Sequence, residues 1–203
     1  AALVSATSAF PANAQGDLLV APTRVVINGG GGAEVVLSNI GDKPATYRIS
    51  LELRRMDETG DFDEVPEASA NASERAALDM VRYAPRRVTL LPGQPQAVRI
   101  SVRPPEGLPD GEYRVHMNFR AVPSADPVEA ATADAAQATG VSIKLVPVYG
   151  ITIPVFVRKG RLEGQATLGA AQLVRSETGA FIDLDMGRSG TRSVYGEITG
   201  KDA

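Results

Sequence analysis

The sequence contains no cysteine and no tryptophan, and its one histidine is His116. Without cysteine the chain can form no disulfide and has no thiolate for catalysis or metal binding. It also has no G-x-S-x-G motif, and its acidic stretch at residues 57–67 does not match the spacing of a calcium-binding loop. The sequence therefore predicts a protein that is not an enzyme and that holds neither a cofactor nor a metal ion.

Long apolar runs and a strong charge of one sign are also absent. No segment approaches the roughly 20 apolar residues of a membrane-spanning helix. The net charge of −3 over 203 residues gives no general attraction to nucleic acid or to an anionic membrane surface. We therefore expect neither a nucleic-acid partner nor insertion into a membrane.

The first residues are small, uncharged and mildly apolar. Ala12, Asn13 and Ala14 match the A-x-A pattern that ends a signal peptide. Residues 1–15 are therefore interpreted as a signal-peptide remnant of an exported protein, whose mature chain begins near Gln15. The alternative is a disordered tail rich in Ala and Ser.

Several segments alternate between apolar and polar residues. This is typical of strands with one face on a core and the other in water. Up to Arg158 about seven such segments, joined by turns, predict an all-β, immunoglobulin-like sandwich over residues 16–158. Tyr113 follows a turn at Leu108–Gly111 and predicts the tyrosine corner of such folds. Alternation within the same segment places His116 on the polar face, where we expect it in solvent. The clearest apolar sets are Tyr47, Ile49, Leu51 and Leu53; Val98, Ile100 and Val102; and Tyr113, Val115, Met117 and Phe119.

The connecting segments carry their own predictions. Pro22 and Pro85 each interrupt a strand, since proline cannot donate to a ladder. The four glycines Gly29–Gly32 predict a hairpin loop, and Asp57–Glu67 predicts a solvated loop. Ala68–Leu78 predicts a short helical turn. Ala125–Thr139 lacks an apolar face and predicts a mobile loop.

Beyond Arg158 the pattern changes. Residues 159–203 are interpreted as a linker and the start of a second, incomplete β domain. Three short strands are predicted there, at Ala171–Arg175, Ala180–Met186 and Val194–Thr199. They are too few for a second sandwich, which needs about seven strands.

The segment 141–158 is the longest run of alternating apolar residues. Its apolar side begins with six candidate contact residues: Val141, Ile143, Leu145, Tyr149, Ile151 and Ile153. Pro147 and Pro154 interrupt any regular ladder. One interpretation is a long edge strand that pairs with an extended partner peptide. The other is two ordinary core strands joined at residues 147–150, and the pattern alone does not decide between them.

The order and spacing of several short segments resemble those of the periplasmic pilus-assembly chaperones, the PapD-like family. No single segment is decisive, but together they span nearly all of residues 16–158. The similar segments are Ala21–Val26, Ser38–Asn39, Pro85–Arg87, Leu91–Gly93, Val98–Ile100, Asn118–Pro123 and Val155–Arg158.

This resemblance implies two immunoglobulin-like domains in the periplasm. It also implies a chaperone that caps a pilus or fimbrial subunit by donor-strand complementation and passes it to an outer-membrane usher. The six apolar residues above would then form the donor strand. The alternative is a structural β-sandwich module of a pilus or adhesion system.

The resemblance further implies that two basic residues hold the subunit's terminal carboxylate. Arg24 occupies the position of the family's first-strand arginine. The family's second basic residue, a lysine in the last strand, falls here on Pro154, so the pattern is broken at that point. Lys144, Arg158 and Lys159 are the remaining candidates for the second position.

Overall fold

The computed structural model describes residues 18–123, 148–176 and 179–200. Within them the chain forms fourteen strands and one α-helix, α1 (Ala72–Met80), which a 3-10 turn at Glu67–Ser69 precedes. The strands are β1 (Leu18–Ala21), β2 (Val25–Asn28), β3 (Gly31–Asn39), β4 (Ala45–Met56), β5 (Phe62–Val65), β6 (Val81–Ala84), β7 (Arg87–Leu90), β8 (Pro95–Val102), β9 (Gly111–Val122), β10 (Gly150–Lys159), β11 (Gly164–Leu168), β12 (Gln172–Ser176), β13 (Gly179–Asp183) and β14 (Met186–Gly190).

The first ten strands form two sheets that share one apolar core. One sheet has the order β1-β3-β8-β6, and the other has the order β2-β10-β9-β4-β5, with β7 also paired to β4. All these pairs are antiparallel except β2 with β10. Val35 and Leu37 from the first sheet and Met117 and Phe119 from the second are fully buried between them. The predicted all-β, immunoglobulin-like fold is confirmed.

Strand β9 shows how closely the alternation follows the fold. Val115, Met117 and Phe119 are completely buried, and Tyr113 is nearly so. The Tyr113 hydroxyl donates a hydrogen bond to the carbonyl oxygen of Pro109 at 2.7 Å. The tyrosine corner predicted from the turn and the tyrosine is therefore present.

Pro22 and Pro85 mark the points where the chain leaves one sheet for the other. Pro22 separates β1, which pairs with β3, from β2, which pairs with β10. Pro85 separates β6, which pairs with β8, from β7, which pairs with β4. The predicted interruptions are confirmed, and each of them is a change of sheet.

The glycine run at 29–32 does not form the predicted hairpin loop. A hairpin requires its two flanking strands to pair, but β2 and β3 belong to different sheets. Gly29 has a φ of 70°, a conformation that costs glycine little. β3 already begins at Gly31. The run is thus a crossing between sheets rather than a loop at one edge.

The acidic segment 57–67 is not entirely a loop, so this prediction was wrong in part. Phe62–Val65 forms strand β5 along the far end of β4, with Leu53 opposite Val65. Because β4 is 12 residues long, its end extends past β7 and offers a free edge to β5. The acidic side chains of β5 remain exposed, while Val65 is buried.

The predicted helical turn is a nine-residue helix. The Asn71 side chain accepts a hydrogen bond from the N–H of Glu74 at 2.9 Å, and the Glu74 carboxylate accepts one from the N–H of Asn71 at 2.8 Å. This reciprocal capping satisfies two of the free donors at the helix start. Ala77 and Met80 are the buried residues of the helix, and they belong to the core of the sandwich.

The tail beyond β10 is built differently. β11 pairs with β14 and β12 pairs with β13, giving two separate two-stranded ladders. Their side chains are mostly exposed. Residues 194–199, predicted as a strand, have no regular structure, whereas β11 and β14 were not predicted. The division into two domains stays a prediction.

Candidate functional site

Strand β10 has a partner on both sides for only part of its length. It pairs with β9 along Gly150–Lys159, but with β2 only along Val155–Arg158. Among the described residues no strand pairs with the other side of Gly150–Pro154. We call Gly150–Pro154 the open edge of β10.

Two hydrogen bonds show which backbone groups point to each side of β10. The N–H of Ala121 in β9 donates to the carbonyl of Tyr149 at 2.9 Å. The N–H of Gly29, beside β2, donates to the carbonyl of Arg158 at 2.6 Å. The backbone N–H and C=O groups of odd-numbered residues therefore point toward β9. Those of even-numbered residues point to the opposite side, because the direction alternates along a strand.

The open edge presents unpaired backbone groups by this alternation. Gly150 and Thr152 direct their N–H and C=O groups toward it. Pro154 has the same parity, so its missing N–H removes a donor from the open side and leaves the ladder with β9 intact. This geometry allows an additional strand to pair with β10.

The predicted contact residues fall into three groups. Tyr149 is 44% exposed, and Ile151 is partly buried at the border of the core. Ile153 is 1% exposed and lies within the core of its own domain. Of segment 141–158 the structure describes residues 148–158, in which one continuous strand begins at Gly150. Both interpretations of the whole segment therefore stay predictions. Val141, Ile143 and Leu145 lie outside the described residues.

Arg24 precedes β2 and stacks on the outer face of β10. Its guanidinium carbon lies 3.9 Å from the centroid of the Phe156 ring and 5.2 Å from that of Tyr195. It also donates to the Ser193 hydroxyl at 3.1 Å. Arg24 has no ion pair with a carboxylate of the described chain. Its charge is therefore positioned but not neutralised by a salt bridge.

Arg158 lies in the same cluster. Its Nε donates to Glu112 at 2.8 Å, and its Nη2 donates to the carbonyl of Ser193 at 3.1 Å. The N–H of Ser193 in turn donates to Glu112 at 3.0 Å. These bonds link β9, β10 and the segment after β14. Arg158 thus has a salt-bridge partner, whereas Arg24 has two cation-π contacts and one hydrogen bond to a hydroxyl.

The charges of this cluster influence one another. Burial lowers the pKa of Arg24, Glu112 raises it, and Arg158 lowers it again. Burial alone would raise the pKa of Glu112, but hydrogen bonds from Ser193 and Arg158 outweigh it and bring the pKa below its ordinary value. Two guanidinium groups and one carboxylate therefore leave an excess positive charge, which suits a carboxylate ligand.

The other candidates for the second basic position lie elsewhere. Lys159 donates to the carbonyl of Leu108 and lies 3.4 Å from the carboxylate of Asp110. Lys144 lies outside the described residues. Arg158 is therefore the basic residue that the structure brings to Arg24, and Pro154 lies four positions before Arg158 in β10.

His116 is buried, so the prediction of a solvent-exposed histidine was wrong. It is 6% exposed, and the Phe62 ring of β5 packs on it at a centroid distance of 5.9 Å. Pro154 lies opposite it on β10. Burial lowers the pKa of His116 to about 4, with Arg114 and Arg54 acting in the same direction. The imidazole is therefore neutral at pH 7.

No cluster of three or more potential metal ligands occurs in residues 18–123, 148–176 and 179–200. No helix in the same ranges is long and apolar enough to cross a membrane.

Sequence reasoning missed four residues of the Arg24–Arg158 cluster: Phe156, Glu112, Ser193 and Tyr195. Phe156 lies within the recognised Val155–Arg158 segment, and its aromatic side chain on the polar side of a strand was a usable signal. Glu112 and Ser193 meet Arg158 only through tertiary structure, and no local pattern identifies them.

The fold is similar to that of several solved pilus chaperones. A structure of a chaperone–tip adhesin complex of CFA/I fimbriae aligns with a TM-score of 0.50 at 11% identity, covering 86% of this chain and 67% of that one. The Escherichia coli chaperone DraB gives 0.43 at 21% identity, covering 70% of this chain and 54% of that one. The CsuC–CsuE pre-assembly complex of archaic Csu pili from Acinetobacter baumannii gives 0.47 at 15%, covering 86% and 73%.

No protein-family model matches the sequence, and no curated protein matches it. The resemblance to the PapD-like chaperones of chaperone-usher pili is confirmed at the level of the fold. The chaperone–tip adhesin complex among these structures agrees with the expectation that the chain is not an enzyme. This chain spans between about half and three quarters of the length of the three chains compared.

Proposed function

We propose that the protein is a periplasmic chaperone for pilus or fimbrial subunits. It binds a subunit that lacks its last strand, adds its own strand to the subunit's open groove, and delivers the subunit to an outer-membrane usher. The chaperone fold of the solved structures above supports this proposal but does not by itself identify the partners.

The observation that carries the proposal is the open edge of β10 beside the Arg24–Arg158 cluster. An open edge offers hydrogen bonds to any extended chain, and the adjacent basic pair restricts that chain to one that ends in, or carries, a carboxylate. The subunit's C-terminal carboxylate fits this requirement. Arg24 would hold this carboxylate, and Arg158 would assist while it stays paired with Glu112.

The expected contributions are large enough for stable capture. Each backbone hydrogen bond formed by Gly150 or Thr152 with the subunit contributes roughly 0.5–1.5 kcal/mol net. Each apolar side chain inserted into the groove contributes roughly 1.5–3 kcal/mol. We propose Ile143, Leu145, Tyr149 and Ile151 for this role, with Val141 before them. Ile153 is excluded from it, since its side chain is already buried in its own domain.

The direct test is co-expression with a pilus subunit encoded beside this protein, followed by purification of the complex. Thr152→Pro removes the N–H that faces the open edge and leaves the ladder with β9 intact. We expect this variant to fold and to lose most of the recovered complex.

Thr152→Val is the matched control. It keeps the backbone N–H and loses only the hydroxyl, which donates to Glu52 at 3.3 Å. We expect this variant to capture the subunit as the unchanged protein does. Equal recovery with Thr152→Pro and Thr152→Val would show that the open edge does not bind the subunit.

A structural pilus or adhesion module remains the second candidate function. Such a module would have its β10 edge covered within its own assembly and would not form a stoichiometric complex with a subunit.

A further inference from the structure

A second group of arginines lies beside the Arg24–Arg158 cluster. It lines a cavity of about 520 Å³ between the outer face of the β4–β9 pair, the start of α1, strand β14 and the segment that follows it. The charged residues of this basic cavity are Arg54, Arg55, Arg114, Arg188, Arg192, Glu74 and Glu112. Five arginines against two glutamates give the lining an excess of positive charge.

Both glutamates of the cavity lining already form ion pairs within the protein. Glu74 binds Arg55 through two hydrogen bonds of 2.7 Å, and Glu112 binds Arg158 from the neighbouring cluster. Arg54 pairs with Glu52, outside the cavity, at 2.6 Å. No acid of the cavity lining is therefore left over for the remaining arginines.

Three arginines of the cavity have no carboxylate partner in the part of the chain that the structure describes: Arg114, Arg188 and Arg192. The Arg188 guanidinium donates to the carbonyls of Gly190 and Arg192 at 3.2 and 2.8 Å. It thereby holds the turn that carries Arg192. Arg114 lies on β9, where it is paired with Phe156 of β10.

The charge of Arg114 acts across the whole region. Burial is the main cause that lowers the pKa of Arg24, and Arg114 contributes in the same direction. The hydrogen bond from Arg55 is the main cause that lowers the pKa of Glu74, and Arg114 again contributes. Arg114 is therefore within electrostatic reach of both Arg24 and Glu74, although it is the smallest of the causes at each.

We propose that the basic cavity binds an acidic segment of a protein partner, whose side-chain carboxylates pair with Arg114, Arg188 and Arg192. A guanidinium group matches a carboxylate in a two-bond geometry. Three such groups, supplied by β9, by β14 and by the segment after it, suit several spaced carboxylates better than one small anion. The inference does not depend on the proposed function, because it uses neither the open edge nor a terminal carboxylate.

The probe is a fluorescent tetraglutamate peptide with both ends capped, measured by anisotropy at low ionic strength. The capped C terminus removes the terminal carboxylate that Arg24 would hold. We expect binding that weakens with added salt, since screening reduces attraction between exposed charges. Arg114→Gln should weaken it by about tenfold or more, as expected for loss of a charge-assisted pair. A capped tetraglutamine peptide should not bind.

Arg99→Gln is the matched control, because Arg99 is an exposed arginine of β8 on the other sheet. It should bind the probe as the unchanged protein does. Arg192→Gln provides a second cavity variant should Arg114→Gln fail to fold by circular dichroism. Unchanged affinity in the folded cavity variants, or no binding of the peptide, would overturn the proposal. Tighter binding of inorganic phosphate than of the peptide would also overturn it and assign the cavity to a small oxyanion.

Discussion

The two halves of β10 have similar apolar sequences but different surroundings. Val155–Arg158 lies between β9 and β2, and its apolar side chains are buried. Gly150–Pro154 has β9 on one side and no strand of the described chain on the other. The half Val155–Arg158 holds the domain together, whereas the half Gly150–Pro154 presents backbone groups that its own fold does not use. A single strand can thus serve both the core and a partner.

A charge placed in the two-sided half should have the largest effect on stability. Val155 is completely buried, so Val155→Asp leaves an unpaired charge in the core at a cost of several kcal/mol. Because domains of this kind are stable by only about 5–15 kcal/mol, we expect the variant to be largely unfolded. Circular dichroism melting measures this.

Tyr149→Asp and Leu145→Asp are the counterparts ahead of the open edge. Tyr149 is exposed, and Leu145 is proposed to insert into the subunit, so both variants should stay folded and lose subunit capture. If Leu145→Asp melted as early as Val155→Asp, the residues before β10 would belong to the core, and the donor-strand hypothesis would be lost.

Arg158→Ala should have the next largest effect. It leaves the Glu112 carboxylate, whose side chain is only 12% exposed, without its salt bridge. We expect a loss of about 1–3 kcal/mol in the free energy of unfolding, as for other buried groups left unpaired. Urea unfolding at pH 7 checks this value.

The pH dependence sharpens the same prediction. The pKa of Glu112 is lowered in the folded protein, so its contribution is complete above the unfolded-state pKa and is lost as the pH falls through the folded-state pKa. The difference in stability between the unchanged protein and Glu112→Gln should therefore shrink below about pH 4.5. A difference that stays constant between pH 7 and pH 3 would contradict this assignment.

Arg24→Ala should have the smallest effect on stability. Its stacking on Phe156 contributes about 0.5–1 kcal/mol, so the melting temperature should change little. Recovery of the subunit complex should nevertheless fall sharply. Arg24→Lys should restore recovery only partly, since an ammonium group lacks the planar fork of a guanidinium. Unimpaired capture by Arg24→Ala would shift the carboxylate contact to another basic residue.

The fold could be predicted from the sequence wherever a local pattern determines it. Alternation identified the buried residues of β9, and Pro22 and Pro85 identified the breaks between sheets. The same alternation failed at His116, because parity gives the face of a strand but not what covers that face. There Phe62, from a strand not predicted at all, packs on the imidazole.

The start of helix α1 could also have been predicted from the sequence. Asn71 and Glu74 have the spacing of a capping box, which predicts the start of a helix. The candidate site was harder: Arg24 was identified through the family resemblance, together with its position in an apolar strand two residues after Pro22. Its neighbours Glu112 and Ser193 come together only when β9, β10 and the segment after β14 meet.

Pro154 determines how far a partner strand can extend along β10. It lacks the N–H that a paired chain would need, and from Val155 onward β2 already occupies that side. Arg24, which would hold the terminal carboxylate, stacks on Phe156, two positions beyond Pro154, or about 7 Å at about 3.3 Å per residue. Under the proposed function, an accepted subunit must span this fixed interval between its last ladder bond and its terminal carboxylate. The chaperone would thus select its clients by the length of their C-terminal segment as well as by their side chains.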